Sequence, residues 1–233
     1  MSYHAIYGLR RSGNHAILEW MIKNFSQKDQ RHVIKHRLIT SGNSCYLNAI
    51  NEYIQSRDLF IDYNFAKITY KNLLISYEDI PETMNSEYTL GFNKIVILRD
   101  ILNVIASRYK RMIDLDPKSL DYRLMKIDEN LFNCWKSHAS AFKKNVLIIK
   151  FEDWLSSKEQ RDKIANSLGC KNIDCVSTIP FHGGGSSFSK MEKIPSAKDL
   201  QSRSEQVQLP SEILERIQKS DISNLRKENG YMK

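Results

Sequence analysis

Two short apolar runs constrain the fold of this chain more than any other feature. They are residues 94–98 (KIVIL) and 145–150 (NVLIIK). An uninterrupted apolar run of this length is typical of a strand buried on both faces of a parallel sheet. After the first run, Asp100 can cap a helix with apolar residues on one broad face. We therefore predict an α/β protein of three layers, with a mostly parallel central sheet flanked by helices.

The same patterns predict the other elements. Strands are expected over residues 3–8, 32–39, 72–77, 94–98 and 145–150. Helices are expected from Ala16 onward and over residues 43–57, 101–113, 119–143, 158–168 and 210–228. Asn43 or Ser44 is the expected N-cap of the second of these helices. The three tryptophans are expected in the core.

Composition is compatible with one globular domain spanning residues 1–233, with 41% hydrophobic and 27% charged residues. No stretch approaches the roughly 18 apolar residues of a membrane span, and the N-terminus does not resemble a signal peptide. The four cysteines are scattered, which indicates neither a disulfide framework nor a zinc site. A cytoplasmic protein without bound metal is the expectation.

The formal net charge of +8 indicates an anionic partner. Nucleic acid, a phosphorylated small molecule and an acidic polymer all qualify. The basic residues are spread along the chain in pairs such as Arg10-Arg11 and Lys143-Lys144, which argues against a nucleic-acid-binding arm. Nothing in the sequence indicates an oligomeric state.

The first motif is the loop from Gly8 to His15, between a predicted strand and a predicted helix. The first N–H groups of a helix lack intrahelical acceptors, so such a loop can bind a phosphate. Gly8 and Gly13 allow close approach of the ligand, and the loop side chains add charge and donors. These side chains are Arg10, Arg11, Ser12, Asn14 and His15. An ordinary strand–helix turn with surface arginines is the alternative.

Gly8 and Gly13 have the spacing of a Walker A loop, but Asn14-His15 stand where Lys-Ser/Thr is required. No apolar strand ending in a magnesium-binding aspartate compensates. A magnesium-dependent kinase for nucleotides or small molecules is therefore the less favoured function.

The second motif is Arg99, at the end of the apolar run, with Ser107 eight residues later. Asn103 and Ser107 are spaced i,i+4, so they share one face of the predicted helix. Because ligands bind at the carboxyl edge of a parallel sheet, Arg99 and Ser107 could bind a second phosphate.

The two motifs together resemble the sulfotransferases that use 3′-phosphoadenosine 5′-phosphosulfate (PAPS). The family's [YF]-P-[KR]-[ST]-G-[TN] loop is similar to residues 9–14 (LRRSGN), and its Arg-x₇-Ser motif is similar to Arg99 and Ser107. Residues 150–155 (KFEDWL) and the glycine-rich segment 182–190 also resemble family segments. The implied architecture is a P-loop-like sulfotransferase fold. The implied nucleotide-binding residues are Arg10, Arg11, Ser12, Gly13, Asn14, His15, Arg99, Ser107, Gly183, Gly184, Gly185, Ser186 and Ser187.

Two features depart from the family pattern. Arg10 replaces the family's proline, and the C-terminal Arg-Lys-Gly motif is absent. His182, Ser186, Ser187 and Lys190 are the candidates to substitute for that motif.

The resemblance implies PAPS as donor and a metal-independent in-line displacement that needs a general base. Arg11 stands where the family supports the leaving oxygen. Glu78 and His36 are the candidate bases, ahead of Asp79 and Asp62. In the alternative interpretation, Glu78-Asp79 is a solvated strand end, as Glu152-Asp153 is expected to be, with Asp153 capping the next turn.

The acceptor is not identified by the sequence. Its pocket would come from segments such as 40–70 and 111–125, whose basic residues are compatible with a glycan or a small metabolite. A catalytically inactive PAPS-binding protein is the other alternative.

Overall fold

A computed structural model describes residues 2–26, 33–35, 38–41, 44–49, 72–83, 91–144, 146–170, 172–174 and 202–232. The strands are β1 (Ser2–Gly8), β2 (Val33–Lys35), β3 (Leu38–Ser41), β4 (Ser44–Ala49), β5 (Asn72–Glu78), β6 (Asn93–Leu98) and β7 (Leu147–Lys150). The α-helices are α1 (Asn14–Ser26), α2 (Ile101–Ile113), α3 (Leu120–Leu124), α4 (Glu129–Ala139), α5 (Phe151–Ser156), α6 (Lys158–Ser167), α7 (Ser211–Lys219) and α8 (Ile222–Glu228). Single 3₁₀ turns cover Ala141–Lys143 and Arg203–Glu205.

The strands form one sheet in the order β2-β3-β4-β5-β1-β6-β7. From β4 to β7 every neighbouring pair is parallel, whereas β2, β3 and β4 pair in an antiparallel manner. This arrangement confirms the predicted α/β class with a mostly parallel sheet.

Successive residues of the central strands face opposite sides of the sheet. Ile6 and Leu74 face one side, where they pack with α1, α5 and α6. Ala5 and Leu73 face the other side. On that side a further apolar cluster joins α2, α4, α7 and α8 to the sheet. Trp20, Trp135 and Trp154 are buried, as predicted.

Strand β1 lies between β5 and β6, and the register of these pairs determines which residues meet at the carboxyl edge. Gly8 at the end of β1 is level with Glu78 of β5 and with Ile97 of β6. Because Arg99 lies two residues beyond Ile97, its backbone emerges at the same edge. The sheet thus gathers three segments that are distant in sequence.

Four predicted elements differ from the structure, and the simplest case is the predicted helix 210–228, which is divided into α7 and α8. The predicted helix 43–57 is wrong, because Ser44–Ala49 form strand β4 against β5. A short apolar run has no clear period, and pairing with a neighbouring strand decided its conformation. Residues 50–57 lie outside the described part of the chain.

The predicted strand 32–39 is two short strands, β2 and β3, paired in an antiparallel manner. The predicted helix 119–143 is interrupted, because α3 ends with its C-cap at Met125 and Asp128 caps α4 by accepting a hydrogen bond from the Leu131 N–H at 3.2 Å. A capping aspartate starts a new helix more readily than it continues an old one.

Among the described helices, none is both long and apolar enough to cross a bilayer.

His4 makes the stability of the fold dependent on pH. It is 3% exposed in the central strand β1, and its ring stacks on Phe25 with the centroids 5.4 Å apart. Burial lowers the pKa of His4 from 6.5 to about 4, since desolvation disfavours the imidazolium.

Because the unfolded chain binds a proton at His4 below pH 6.5 and the folded chain does not until about pH 4, stability is lost as the pH falls through this window. We expect His4 to account for about 3 kcal/mol of that loss. The free energy of unfolding, measured with urea at several pH values, should depend less on pH in His4→Phe than in the wild type. An unchanged slope between pH 4 and 6.5 would contradict the assignment.

Candidate functional site

The loop between β1 and α1 is a tight turn with left-handed backbone positions. Its Ser12 N–H donates to the Leu9 carbonyl at 3.0 Å. Arg11 has φ 73° and Gly13 has φ 91°. A Cβ atom at Gly13 would overlap the ring of Phe151, so both the conformation and the space require glycine there. A non-glycine residue such as Arg11 in this region of φ is often found at a functional site.

The polar side chains of Ser12 and Asn14 point into the loop. Ser12 Oγ lies 2.6 Å from both the Leu9 carbonyl oxygen and Asn14 Oδ1. Asn14 Nδ2 donates to the same carbonyl at 3.2 Å. Both side chains are at most 3% exposed. Their described hydrogen bonds therefore hold the shape of the turn, at the point where α1 presents its first N–H groups.

A buried ion-pair network joins this loop to the end of β5. Glu78 is 7% exposed; it lies 3.3 Å from Arg10 Nε and accepts a hydrogen bond from Asn14 Nδ2 at 3.2 Å. Asp79 accepts from the Arg10 backbone N–H at 3.1 Å and forms an ion pair with Arg108. The alternative of a solvated strand end is thus wrong for Glu78-Asp79.

A second polar cluster forms where the loop meets α2. Arg11 Nε donates to Ser107 Oγ at 3.1 Å, and Arg203 Nη1 donates to the same oxygen at 3.0 Å. Arg99 Nη1 donates to the Arg11 carbonyl at 2.8 Å. Two guanidinium groups therefore share the Ser107 hydroxyl, and a third, that of Arg99, is bonded to the backbone of Arg11, so four segments meet at this point.

Helix α2 positions Ser107 in this cluster. Its N-cap Asp100 accepts from the Leu102 N–H at 3.4 Å and forms a bidentate ion pair with Arg226 at 2.8 and 2.9 Å. The predicted common face of Asn103 and Ser107 is confirmed, because Asn103 Oδ1 accepts from the Ser204 N–H at 3.1 Å. This face holds the 3₁₀ turn that carries Arg203.

Arg99 is held by a carboxylate and an aromatic ring. It is 2% exposed, its Nε lies 3.7 Å from Glu152 Oε1, and its guanidinium lies 4.7 Å from the centre of the Phe151 ring. Burial lowers the pKa of Arg99 to about 10, with Glu152 opposing the shift. The expectation that Glu152-Asp153 is a solvated strand end is wrong for Glu152, whose carboxylate contacts Arg99. Asp153 is exposed, but it lies in the first turn of α5 and is not its N-cap.

The arginines of the cluster destabilise one another's charge. Burial, together with the neighbouring charges of Arg99 and Arg11, lowers the pKa of Arg203 to about 9. Burial also lowers the pKa of Arg11, as do Arg111 and Arg108, whereas Glu78 opposes the shift. A multivalent anion placed among Arg11, Arg99 and Arg203 would relieve this repulsion.

The structure brings most of the predicted site residues together and adds others. Residues 8–15, Glu78, Arg99 and Ser107 meet at the carboxyl edge, while Arg10 contacts carboxylates there. His15 Nε2 lies 3.8 Å from Glu78 Oε1. The predicted residues His36 and Asp62, and all those from His182 to Lys190, lie outside the described part of the chain.

Two contributors were missed by sequence reasoning, Arg203 and Glu152. Arg203 lies in a polar segment with no apolar periodicity, residues 201–208 (QSRSEQVQ). The one sequence signal for Arg203 is the resemblance to a family that has a C-terminal Arg-Lys-Gly motif.

Comparisons with known proteins identify the fold. No protein-family model matches the chain, and no curated protein matches its sequence. The crystal structure of mouse sulfotransferase SULT7A1 complexed with PAP is similar to this chain, with a TM-score of 0.51 and 16% sequence identity over 97% of this chain and 88% of that chain. The chain therefore has the sulfotransferase fold, as the sequence resemblance implied.

The arrangement provides two adjacent positions for anionic groups. One is the loop at the N-terminus of α1, and the other is the cluster of Arg99, Ser107 and Arg203. Arg11 touches both, because it belongs to the loop and bonds to Ser107. A ligand with two anionic groups separated by a spacer fits this charge pattern.

The two glycines Gly13 and Gly91 allow a matched test of the loop. Both have positive φ, 91° and 82°, but a Cβ atom at Gly91 would meet nothing within 4 Å. Gly91→Ala should therefore lower the free energy of unfolding only by the backbone strain, about 1–2 kcal/mol. Gly13→Ala should cost roughly 3 kcal/mol or more, because the Phe151 ring must also move. Equal losses of stability in chemical unfolding would contradict the close packing of Gly13 on Phe151.

Proposed function

We propose that this protein is a PAPS-dependent sulfotransferase. The observation that carries the proposal is the convergence of Arg11, Arg99, Ser107 and Arg203 beside the loop at the start of α1. The sulfotransferase fold supports it, and so does the complex of the similar mouse sulfotransferase with PAP, which we take to be 3′-phosphoadenosine 5′-phosphate.

In this proposal the loop binds the 5′-phosphosulfate, while Arg99, Ser107 and Arg203 bind the 3′-phosphate. Backbone N–H groups at the start of α1 face the first group. Arginine binds the second group well, because its planar donors match phosphate oxygens. We propose Arg203 as a further contributor, beside the candidates His182, Ser186, Ser187 and Lys190, which lie outside the described residues.

PAPS supplies an activated sulfuryl group. The acceptor oxygen or nitrogen forms a bond to sulfur as the sulfur–oxygen bond to the 5′-phosphate breaks, and PAP leaves with the electron pair. Arg11 stabilises the charge that develops on this leaving oxygen. A sulfuryl group carries less charge than a phosphoryl group, so we propose that transfer needs no metal.

The proton of the acceptor needs a base, and we propose Glu78. This carboxylate lies at the carboxyl end of β5, directly beside the loop. Glu78 is preferred to its neighbour Asp79, because the Glu78 carboxylate also lies beside Asn14 and His15, where the loop meets the start of α1. His36 lies outside the described residues and is the alternative that variants of Glu78 would test.

The acceptor is a hydroxyl or amine compound, for which we propose a glycan or a small metabolite. A mass-spectrometric screen with PAPS should reveal it as a product that has gained one sulfuryl group. A nucleotide kinase would instead add a phosphoryl group from magnesium-ATP in the same screen.

The donor assignment predicts that PAP binds more tightly than ATP and does not require magnesium. PAP carries a 3′-phosphate for Arg99 and Arg203, which ATP does not have. Isothermal titration calorimetry with and without EDTA measures both affinities. Tighter binding of magnesium-ATP would exclude the proposal in favour of a kinase.

The 3′-phosphate assignment predicts a selective effect of Arg203→Ala. Loss of one charge-assisted hydrogen bond, worth about 1.5–3 kcal/mol, should weaken PAP binding by roughly 10- to 150-fold. Binding of AMP, which has no 3′-phosphate, should change much less. The exposed Arg123 provides the control, since Arg123→Ala should alter neither affinity. Equal weakening of PAP and AMP by Arg203→Ala would contradict this position for the 3′-phosphate.

A further inference from the structure

Arg10 is turned away from the arginine cluster that its neighbour Arg11 joins. Its side chain is 7% exposed, and its Nε lies 3.3 Å from Glu78 Oε2 and 3.7 Å from Asp79 Oδ2. Its backbone N–H donates to Asp79 Oδ1 at 3.1 Å. Both the side chain and the backbone of this residue are therefore directed at the end of β5.

The backbone contact depends on the residue type. A proline at position 10 would have no N–H to donate, so it could not bind Asp79 in this way. An arginine supplies that N–H and, with the same residue, a guanidinium for Glu78. Two independent contacts thus hold the loop from Gly8 to His15 against the carboxylates of Glu78 and Asp79.

Glu78 is held from two sides by these contacts. Arg10 approaches Oε2, while Asn14 Nδ2 donates to Oε1 at 3.2 Å and His15 Nε2 lies 3.8 Å from Oε1. A buried carboxylate with charged or polar partners on both oxygens has one preferred orientation.

We propose that Arg10 is a positioning residue, which orients Glu78 as the general base, and that Arg10 is not a ligand of the nucleotide. This inference rests on the proposed sulfotransferase function. It replaces the sequence-based assignment of Arg10 to the nucleotide site. The two adjacent arginines then have different roles, since Arg11 binds the anion and Arg10 orients the base.

The test compares Arg10→Gln, Arg10→Lys, Glu78→Gln and the double variant Arg10→Gln/Glu78→Gln. PAP affinity is measured by calorimetry, and turnover is measured as PAP released from PAPS, with water or a screened compound as acceptor. Arg161→Gln is the matched control, because Arg161 is equally buried, at 7% exposed, and pairs with Asp174 away from the site.

We expect Arg10→Gln to leave the PAP dissociation constant within about threefold and to lower kcat roughly 10- to 100-fold, a part of what a general base contributes. Arg10→Lys should recover part of the rate because it restores the charge. In the Glu78→Gln background, Arg10→Gln should lower kcat no further, since the two residues act as one unit. Arg161→Gln should lower the melting temperature without changing kcat.

A loss of PAP affinity in Arg10→Gln as large as that in Arg203→Ala would overturn the proposal, as would fully additive losses of kcat in the double variant. If Arg10→Gln does not fold, Arg10→Lys takes its place in the test. A lower kcat at unchanged PAP affinity in Arg10→Lys would then support the proposal. Wild-type protein that binds no PAP, or that releases none from PAPS, would contradict the sulfotransferase function itself. That outcome differs from a failure of the Arg10 assignment alone, in which the wild type binds PAP and turns over PAPS.

Discussion

The parallel pairing of β1 with β5 on one side and β6 on the other is the constraint on which the site depends. This register places Gly8 level with Glu78 and brings Arg99 to the same edge. Parallel strands all end on the same side of a sheet, so segments separated by about 90 residues become neighbours there. A shift of either pair by one residue would exchange side chains between the two packed faces of the sheet and separate the loop from its partners.

The site is built from buried charges, and several of them lie beside a charge of the opposite sign. Glu78 and Asp79 lie against Arg10 and Arg108, and Arg99 lies against Glu152. Burial of a charge without a partner would be costly, so these contacts specify the positions of the side chains. The group of Arg11, Arg99 and Arg203 differs, because like charges face one another there and the pKa values of all three fall. This excess of positive charge is the basis for proposing that the edge binds an anion.

The C-terminal part of the chain completes the same edge. Arg203 bonds to Ser107, Arg226 binds the carboxylate of the α2 N-cap Asp100, and Lys150 Nζ donates to the Asn229 carbonyl at 2.7 Å. Helices α7 and α8 also cover the apolar face of α2 and α4. The last thirty or so described residues therefore stabilise the fold and supply one of the arginines of the site.

The sequence by itself determined the central strands, the helix that carries Ser107 and the glycine-bounded loop, because apolar periodicity, an aspartate cap and a left-handed glycine are local properties. It also determined that Arg11, Arg99 and Ser107 belong to one site, since their motifs follow strands that end at one edge. Tertiary structure decided that Ser44–Ala49 is a strand, because its partner β5 lies far away in sequence. It likewise decided the different contacts of Arg10 and Arg11 and the positions of Arg203 and Glu152 beside them. Those outcomes depend on which buried charge lies next to which, and long-range proximity of this kind leaves no periodic trace in the sequence.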